Sequence, residues 1–307
     1  MKTIFACLLM VFSTMTMAET LRLGVVDVLE PLENENFYAV FATDGQVYDV
    51  HINDTEVIAA IKDAQKSGLE VEFETSDHTK ALDVLAQRSE ILGVKLLTSE
   101  FKVPVASKNQ AKGIKDLDRD PLMTDYISDI GDSNTLNNVF RAQKTGMRKR
   151  SQCYNRAHVW SYEMRNYSYN GRRVQPGKVW LFFTKKYIRA YRYKWWFHVS
   201  PYVNSNGVKK VMDRRYMQQP ADLRYWTNYF IQSQQECRRA KVYTDYERNP
   251  QLGHCFVIFT SVHYWQPWQI EKNEENGTLQ TQWSDYELRI AYRDALGRRY
   301  RRPNLNK

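Results

Sequence analysis

Apolar residues in the first hundred positions form short β-rich runs, interrupted by one stretch with helical spacing. The runs predict strands at Leu21–Leu29, Phe37–Ala42, Val47–Ile52, Leu69–Phe73 and Ile91–Leu97. Asp44-Gly45, a common hairpin turn, joins the second strand to the third. Asp54 can cap a helix with an apolar face, and Gly68 can end it. With a shorter helix expected near Lys80–Gln87, the pattern predicts a small α/β domain.

The later part of the chain mixes helical and strand periodicity. Helices are predicted near Thr135–Lys144, Cys153–Arg165 and Pro220–Ser233, and strands at Val179–Thr184, Trp195–Tyr202 and Val208–Asp213. In the second helix, Cys153, Ala157, Trp160 and Met164 fall on one face, so Cys153 points toward the protein interior. The pattern predicts an α+β domain in which an antiparallel sheet packs against helices.

Composition divides the chain into four segments. Residues 1–18 have the pattern of a signal peptide: Lys2, an apolar run, and the small-residue cleavage site Thr16-Met17-Ala18. We therefore expect a secreted or periplasmic bacterial protein, and no later segment approaches the roughly 20 apolar residues of a membrane span. Residues 19–105 form the small domain and 106–121 an exposed linker suited to proteolytic processing. Residues 122–307 form the second domain, and we find no function in the sequence of 265–307.

Charge separates the two domains. From Glu19 to Val105 there are 17 acidic and 7 basic residues, a net charge of −10. From Ala106 to Lys307 there are 36 basic and 18 acidic residues, a net charge of +18. The basic part can seat the acidic domain or steer acidic protein substrates. Its Arg, Lys and aromatic residues could also serve nucleic-acid or glycan binding, but their spacing favours a core role, and export argues against nucleic acid.

Cysteine number points to one free thiol. Removal of the signal peptide leaves Cys153, Cys237 and Cys255, an odd count in an oxidising compartment. We expect Cys237 and Cys255 to form a disulfide, although pairings that use Cys153 stay open. A helix start favours the thiolate form of Cys153, which is the nucleophilic form. The alternative is that Cys153 is a buried, inert thiol.

A histidine and an aspartate are placed to support that thiol. The turn signal Asn204-Ser205-Asn206-Gly207 lies between the strands that carry His198 and Asp213. A four-residue loop puts His198 directly opposite Asp213, whereas a two-residue turn at Asn206-Gly207 makes the pair diagonal. Either register lets the aspartate orient the imidazole. Cysteine, histidine and aspartate in this layout indicate acyl transfer through a thiolate, with the Cys153 backbone N–H as an oxyanion donor.

Several motifs resemble the bacterial protein glutaminase family. They are Asn134-Thr135-Leu136-Asn137-Asn138-Val139-Phe140, Cys153-Tyr154-Asn155-Arg156-Ala157-His158, Trp196-Phe197-His198-Val199 and Val211-Met212-Asp213. The resemblance covers about Leu122 to Cys255, and the motif that begins at Cys153 is its most specific part.

The resemblance implies a fold, a reaction and a mode of regulation. It implies a papain- or transglutaminase-like core, with Cys153 as nucleophile, His198 as general base and Asp213 as its orienting partner. It implies hydrolysis of protein glutamine side chains to glutamate and ammonia, without a cofactor or metal. It also implies that the acidic domain is a pro-region that inhibits the enzyme until it is cleaved.

One departure from the family pattern concerns the aspartate. Family members typically have proline after the catalytic aspartate, but here Arg214 follows Asp213. Asp222, two residues after Pro220, is therefore a weaker second candidate.

Other functions fit the same residues. Transglutaminase or cysteine peptidase chemistry can use the same three side chains, because all three reactions share the acyl-enzyme step. A noncatalytic secreted binding or toxin-like module is the alternative from a different class. No His, Cys or Asp cluster has zinc-like spacing, and no glycine-rich phosphate loop is present. We expect a monomer whose partners are protein or peptide substrates with exposed glutamine and its own pro-domain, not nucleic acid.

Overall fold

The computed structural model describes residues 19–76, 88–100, 126–149, 151–231, 236–243 and 253–297. The statements below concern those residues. The expected signal peptide, the helix predicted near Lys80–Gln87 and the linker at 106–121 lie outside them.

The described residues up to 100, here called the N-terminal unit, form an antiparallel sheet covered by one helix. Its strands, in the spatial order β3-β2-β1-β4-β5, are β1 (Glu19–Leu29), β2 (Phe37–Ala42), β3 (Val47–His51), β4 (Leu69–Thr75) and β5 (Ile91–Glu100). Helix α1 (Thr55–Ser67) buries Ile61 and Ala64 against apolar strand residues. Gly68 ends it with a φ of 70°, a left-handed conformation that glycine adopts without strain. The predicted strands and helix α1 are confirmed, with ends shifted by a few residues.

The remaining described residues form a second unit around a six-stranded sheet. Its order is β11-β10-β9-β8-β13-β12, and all neighbours are antiparallel except β12 and β13. The strands are β8 (Gly177–Phe183), β9 (Phe197–Ser205), β10 (Val208–Val211), β11 (Ala221–Asp222), β12 (Arg238–Arg239) and β13 (Cys255–Thr260). A small hairpin, β6 (Ser168–Tyr169) with β7 (Arg172–Arg173), stands apart. Every residue of β8 and β13 is buried, as expected for strands covered on both faces.

Seven described helices accompany the two sheets. After α1 they are α2 (Ser133–Ala142), α3 (Cys153–Met164), α4 (Lys185–Ala190), α5 (Leu223–Phe230), α6 (Pro267–Glu275) and α7 (Asp285–Leu296). Helix α3 packs against β8 and β9 on one side and against α7 on the other. The helix predicted over Pro220–Ser233 is shorter, because residues 221–222 pair with β10 first.

The hairpin between β9 and β10 settles the register. Asn206 and Gly207 have φ angles of 51° and 77°, and Val208 pairs with Ser205. These positive φ angles suit a tight two-residue turn. The four-residue loop is therefore wrong and the two-residue alternative is right. Strand β10 ends at Val211, so Asp213 lies beyond the ladder that was expected to carry it.

The C-terminal helices position the start of α3. Helix α7 contributes Leu288, Ala291 and Tyr292 to an apolar cluster with α3. The Asp294 carboxylate accepts hydrogen bonds from the Gln152 backbone N–H at 2.9 Å and from Asn155 Nδ2 at 2.8 Å. The segment after residue 265 therefore helps to fix the first turn of α3, a role that its sequence did not reveal.

Other expectations concern cysteines and membranes. Cys237 and Cys255 form a disulfide, as expected, and Cys153 is a buried free thiol. No helix among the described residues is long and apolar enough to cross a membrane. The fold is mixed, with antiparallel sheets and helices, and the likeness to a papain or transglutaminase core stays a prediction.

Candidate active site

Cys153 is the first residue of α3, where the sequence predicted it. The backbone N–H groups of Tyr154 and Val199 lie near its thiol and act to lower the thiol pKa. Since Val199 follows His198 on β9, these contacts bring the sulfur beside the strand that carries the histidine. Arg156, one turn along α3, is also buried and donates to the Ser151 carbonyl.

His198 and Asp213 meet as the sequence predicted, but through a different path. The His198 Nε2 atom lies 2.7 Å from Asp213 Oδ2, and both residues are buried. The chain turns after β10, and the Arg215 backbone N–H donates to Asp213 Oδ1 at 3.2 Å. Asp222, the weaker candidate, is exposed and instead bonds Lys210 at 2.7 Å.

A second donor holds Asp213. The Trp226 Nε1–H group donates to Asp213 Oδ2 at 2.9 Å, so two donors converge on one carboxylate oxygen. Trp226 lies on α5 and is fully buried. Sequence reasoning placed this tryptophan in the core and missed its hydrogen bond. Its only signal was that a buried indole N–H usually finds an acceptor.

Burial sets the protonation states of the three residues. It raises the pKa of the Cys153 thiol to about 12, although the nearby Arg156 opposes the change. The thiol is therefore protonated here, and the expectation that the helix start yields a thiolate is wrong for this form of the protein. Burial lowers the pKa of His198 more than Asp213 raises it. Burial raises the pKa of Asp213, but His198 and Trp226 outweigh that effect and lower it. A neutral imidazole thus faces an ionised carboxylate.

Residues 136–230 match the model of a family described as glutaminase. The matched range contains Cys153, His198 and Asp213. The match makes this segment of the chain similar to the glutaminase family.

Solved structures with a similar arrangement include a pro-protein-glutaminase, with 16% identity and a TM-score of 0.44 over 90% of this chain and 92% of that chain. A mutant of pro-protein-glutaminase is similar over 80% of this chain and 84% of that chain, with 19% identity and a TM-score of 0.44. A protein-glutaminase is similar over 58% of this chain and 95% of that chain, with 17% identity and a TM-score of 0.31. No curated protein matches the chain significantly.

Aromatic rings enclose the histidine of this glutaminase-family segment. The Trp195 ring stacks on His198 at 5.6 Å, and the Phe230 ring centroid lies 4.5 Å away. Tyr216 approaches edge-on at 5.3 Å. These rings exclude water from the imidazole and limit its rotation. The sequence indicated core aromatics here, without showing that they surround one histidine.

His158, further along α3, belongs to a different environment. It is fully buried, and its Nδ1 atom lies 2.8 Å from Lys178 Nζ. Burial lowers the pKa of His158 well below its usual value, and Lys178 lowers it further. This histidine therefore serves the interior of the second unit and does not face the Cys153 thiol.

A turn of the N-terminal unit covers the candidate site. Asp44, Gly45 and Gln46, between β2 and β3, line the same cavity as Cys153 and His198. The Val47 N–H donates to the Lys194 carbonyl at 2.6 Å, and the Trp196 N–H donates to the Gly45 carbonyl at 3.1 Å. These bonds flank an isolated antiparallel bridge between Gln46 and Trp195 that joins the two units. Among the described residues, no group of three or more His, Cys, Asp or Glu side chains could hold a metal ion.

Proposed function

We propose that the chain is a secreted protein-glutamine deamidase made as a zymogen, with Cys153 as nucleophile, His198 as general base and Asp213 as the residue that orients the base. The observation that carries the proposal is the cavity lined by both Cys153 and His198, with His198 hydrogen-bonded to Asp213 behind it. The residues of the second unit that line this cavity all lie within 136–230, the range that matches the glutaminase family model.

The first half of the reaction forms a thioester. His198 takes the thiol proton, and the sulfur of Cys153 bonds to the side-chain carbonyl carbon of glutamine. The C–N bond of the carboxamide then breaks, and ammonia leaves with the proton that His198 returns. Asp213 holds the imidazole in place and stabilises its protonated form. The backbone N–H of Cys153, at the start of α3, can donate to the developing oxyanion.

The second half returns the enzyme to its starting state. Water gives one proton to His198 and attacks the thioester carbonyl. The carbon–sulfur bond breaks, the proton returns to Cys153, and the glutamine has become glutamate. The rings around His198 leave access only from the cavity side, which is where the substrate and then the water must enter.

The zymogen part of the proposal rests on the cover over the site. The Asp44–Gln46 turn occupies the approach to Cys153, and the same burial keeps the thiol protonated. Cleavage in the linker at 106–121 frees the N-terminal unit to leave. Water then reaches the thiol, its pKa falls, and protein glutamine can take the place of the turn.

The test measures ammonia release from a glutamine-containing protein before and after limited proteolysis of the full-length chain. We expect release only after cleavage. Cys153→Ala and His198→Ala should abolish it, whereas His254→Ala, a control histidine in the same unit, should keep it. Ammonia release that survives Cys153→Ala would refute the assigned nucleophile.

Mass spectrometry of the treated substrate separates the related reactions. Deamidation adds about one dalton at glutamine, transamidation gives a crosslink, and proteolysis gives a cut chain. Crosslinks or cuts without deamidation would replace the proposed reaction by one of the alternatives. Absence of all three products before and after cleavage would favour a noncatalytic binding module.

A further inference from the structure

A group of basic residues that precedes Trp195 in the chain contacts acidic residues of the N-terminal unit. We call Lys185, Arg189 and Arg192 the basic edge. They lie on α4 and in the turn that follows it. Lys185 Nζ is 2.5 Å from Asp27, Arg189 Nε is 3.1 Å from Glu35, and Arg192 is 2.5 Å from Asp49. Every member of the basic edge is thus paired with a carboxylate from the unit that covers the site.

The Asp49–Arg192 pair can be compared with the bridge that joins the Asp44–Gln46 turn to the second unit. Gln46 lies opposite Trp195 in an antiparallel bridge. Asp49 is three residues after Gln46, and Arg192 is three residues before Trp195. The Asp49–Arg192 pair therefore lies where the same antiparallel register would continue.

The same bridge locates the residue that faces the histidine. Residues directly opposite in an antiparallel pair place their side chains on the same face. The Trp195 ring stacks on His198, so a residue in the place of Gln46 directs its side chain toward the His198 side. A substrate glutamine in this place carries its third following residue to Arg192.

The backbone at Arg192 supports a role for its side chain. Its φ is 46°, a left-handed conformation that glycine, asparagine and aspartate adopt more readily than arginine. Backbone bonds hold the turn, among them that from the Tyr193 N–H to the Ile188 carbonyl at 2.9 Å, and Arg88 donates to the Ile188 and Tyr193 carbonyls and to Asp49. An arginine here adds a cation that contacts Asp49 and the face of the Phe37 ring of the N-terminal unit.

We infer that the basic edge, through Arg192, selects protein substrates with an acidic residue three positions C-terminal to the target glutamine. The inference rests on the proposed function and deepens it. In the zymogen, Asp49 occupies the place of that acidic residue. After cleavage, Arg192 becomes available to the substrate, with Arg189 and Lys185 along the same helix for further carboxylates.

The test uses the full-length protein activated by limited proteolysis. Extended peptides with one glutamine carry a single aspartate at each position from +1 to +5, and matched peptides carry asparagine instead. For aspartate at +3, kcat/KM should exceed that of its asparagine match by about two- to five-fold, the range of a partly exposed ion pair. The preference should weaken with added salt.

Variants assign the preference to Arg192. Arg192→Asn should abolish it and Arg192→Asp should favour lysine at +3, since both residues tolerate the left-handed backbone. Arg172→Glu, an exposed change on the separate β6–β7 hairpin, should leave the preference intact. Equal kcat/KM for aspartate and asparagine at +3, or an unchanged preference in Arg192→Asp, would overturn the inference.

A short substrate separates this inference from the proposed function. A blocked glutaminyl-glycine dipeptide has no residue that can reach Arg192, so all these variants should hydrolyse it at the same rate. If the dipeptide is hydrolysed but kcat/KM of the extended peptides does not depend on the position of the aspartate from +1 to +5, only the basic-edge inference is refuted. No ammonia from the dipeptide or from any peptide would refute the proposed function.

Discussion

Gly45 offers the sharpest test of the cover over Cys153. It forms part of the turn that lines the cavity, and its φ is 87°. A Cβ atom added at Gly45 would lie 3.0 Å from the Phe197 ring, closer than carbon atoms normally approach. Gly45→Ala must therefore displace either the ring or the turn. Phe197 is buried beside Trp196 and has little room to move.

The contact between the added Cβ atom and the Phe197 ring sets how much the substitution destabilises the covered state. Overpacking by one methyl group in a tight site costs about 1–3 kcal/mol. Since each 1.4 kcal/mol is a factor of ten, the uncovered state of the uncleaved protein should gain roughly 5- to 150-fold in population. The positive φ adds a further cost, but this cost falls on the N-terminal unit whether or not the unit covers the site.

Thiol labelling measures the uncovered state. Iodoacetamide should modify Cys153 faster in uncleaved Gly45→Ala than in the parent protein. The uncleaved variant should also show a trace of ammonia-releasing activity before proteolysis. Gly68→Ala is the matched control: its φ is 70°, it lies in the same unit, and an added Cβ meets nothing within 4 Å. If Gly45→Ala labels no faster than Gly68→Ala, the turn does not control access to the thiol.

Three further predictions concern two residues beside His198 and one buried carboxylate on α7. Asp213→Asn should lower kcat of the activated protein by roughly 100-fold or more, because the imidazolium loses its charged partner. The control Asp222→Asn, at an exposed residue, should change kcat by no more than about two-fold. Equal effects of the two variants in an ammonia assay would contradict the assignment of Asp213. Trp226→Phe removes a hydrogen bond that lowers the pKa of Asp213, so the acid limb of the kcat/KM profile should move to higher pH, which a mere loss of packing would not produce. Burial raises the pKa of the Glu287 carboxyl group from 4.5 to about 7. The folded protein therefore binds the carboxyl proton more tightly than the unfolded chain does. The free energy of unfolding consequently falls as the pH rises from 4.5 toward 7. Glu287→Gln should therefore stabilise the protein by up to about 3 kcal/mol at pH 8 and far less at pH 4; denaturant titrations that show the same change at both pH values would refute this reasoning.

Local features of the fold were predictable because they depend on neighbours in the chain. Period-two runs located the strands of the N-terminal unit, and helical spacing located α1 and α3. The count of cysteines and the expected compartment gave one free thiol, the helix start favoured Cys153 for it, and the structure pairs Cys237 with Cys255. The position of Cys153 at a helix start was equally local.

The candidate site was only half predictable. His198 and Asp213 were expected on facing strands, and they do meet, but the sequence left two registers open. Positive φ angles at Asn206 and Gly207 choose the shorter turn, and Asp213 then reaches His198 from the loop beyond β10. The hydrogen bond from Trp226 was not predictable, since it depends on where α5 packs.

The sequence by itself therefore located the strands and α1 of the N-terminal unit and α3, gave the odd cysteine count and the opposite charges of the two parts of the chain, and proposed Cys153, His198 and Asp213, because periodicity, composition and motifs are local properties; β13, α4, α6 and α7 were not predicted. Only the tertiary structure decided that Asp44–Gln46 covers Cys153, that burial keeps the thiol protonated, and that Asp49 pairs with Arg192. Each of these depends on contacts between residues more than a hundred positions apart, or on the burial they produce, and no local pattern reports which distant surfaces will meet.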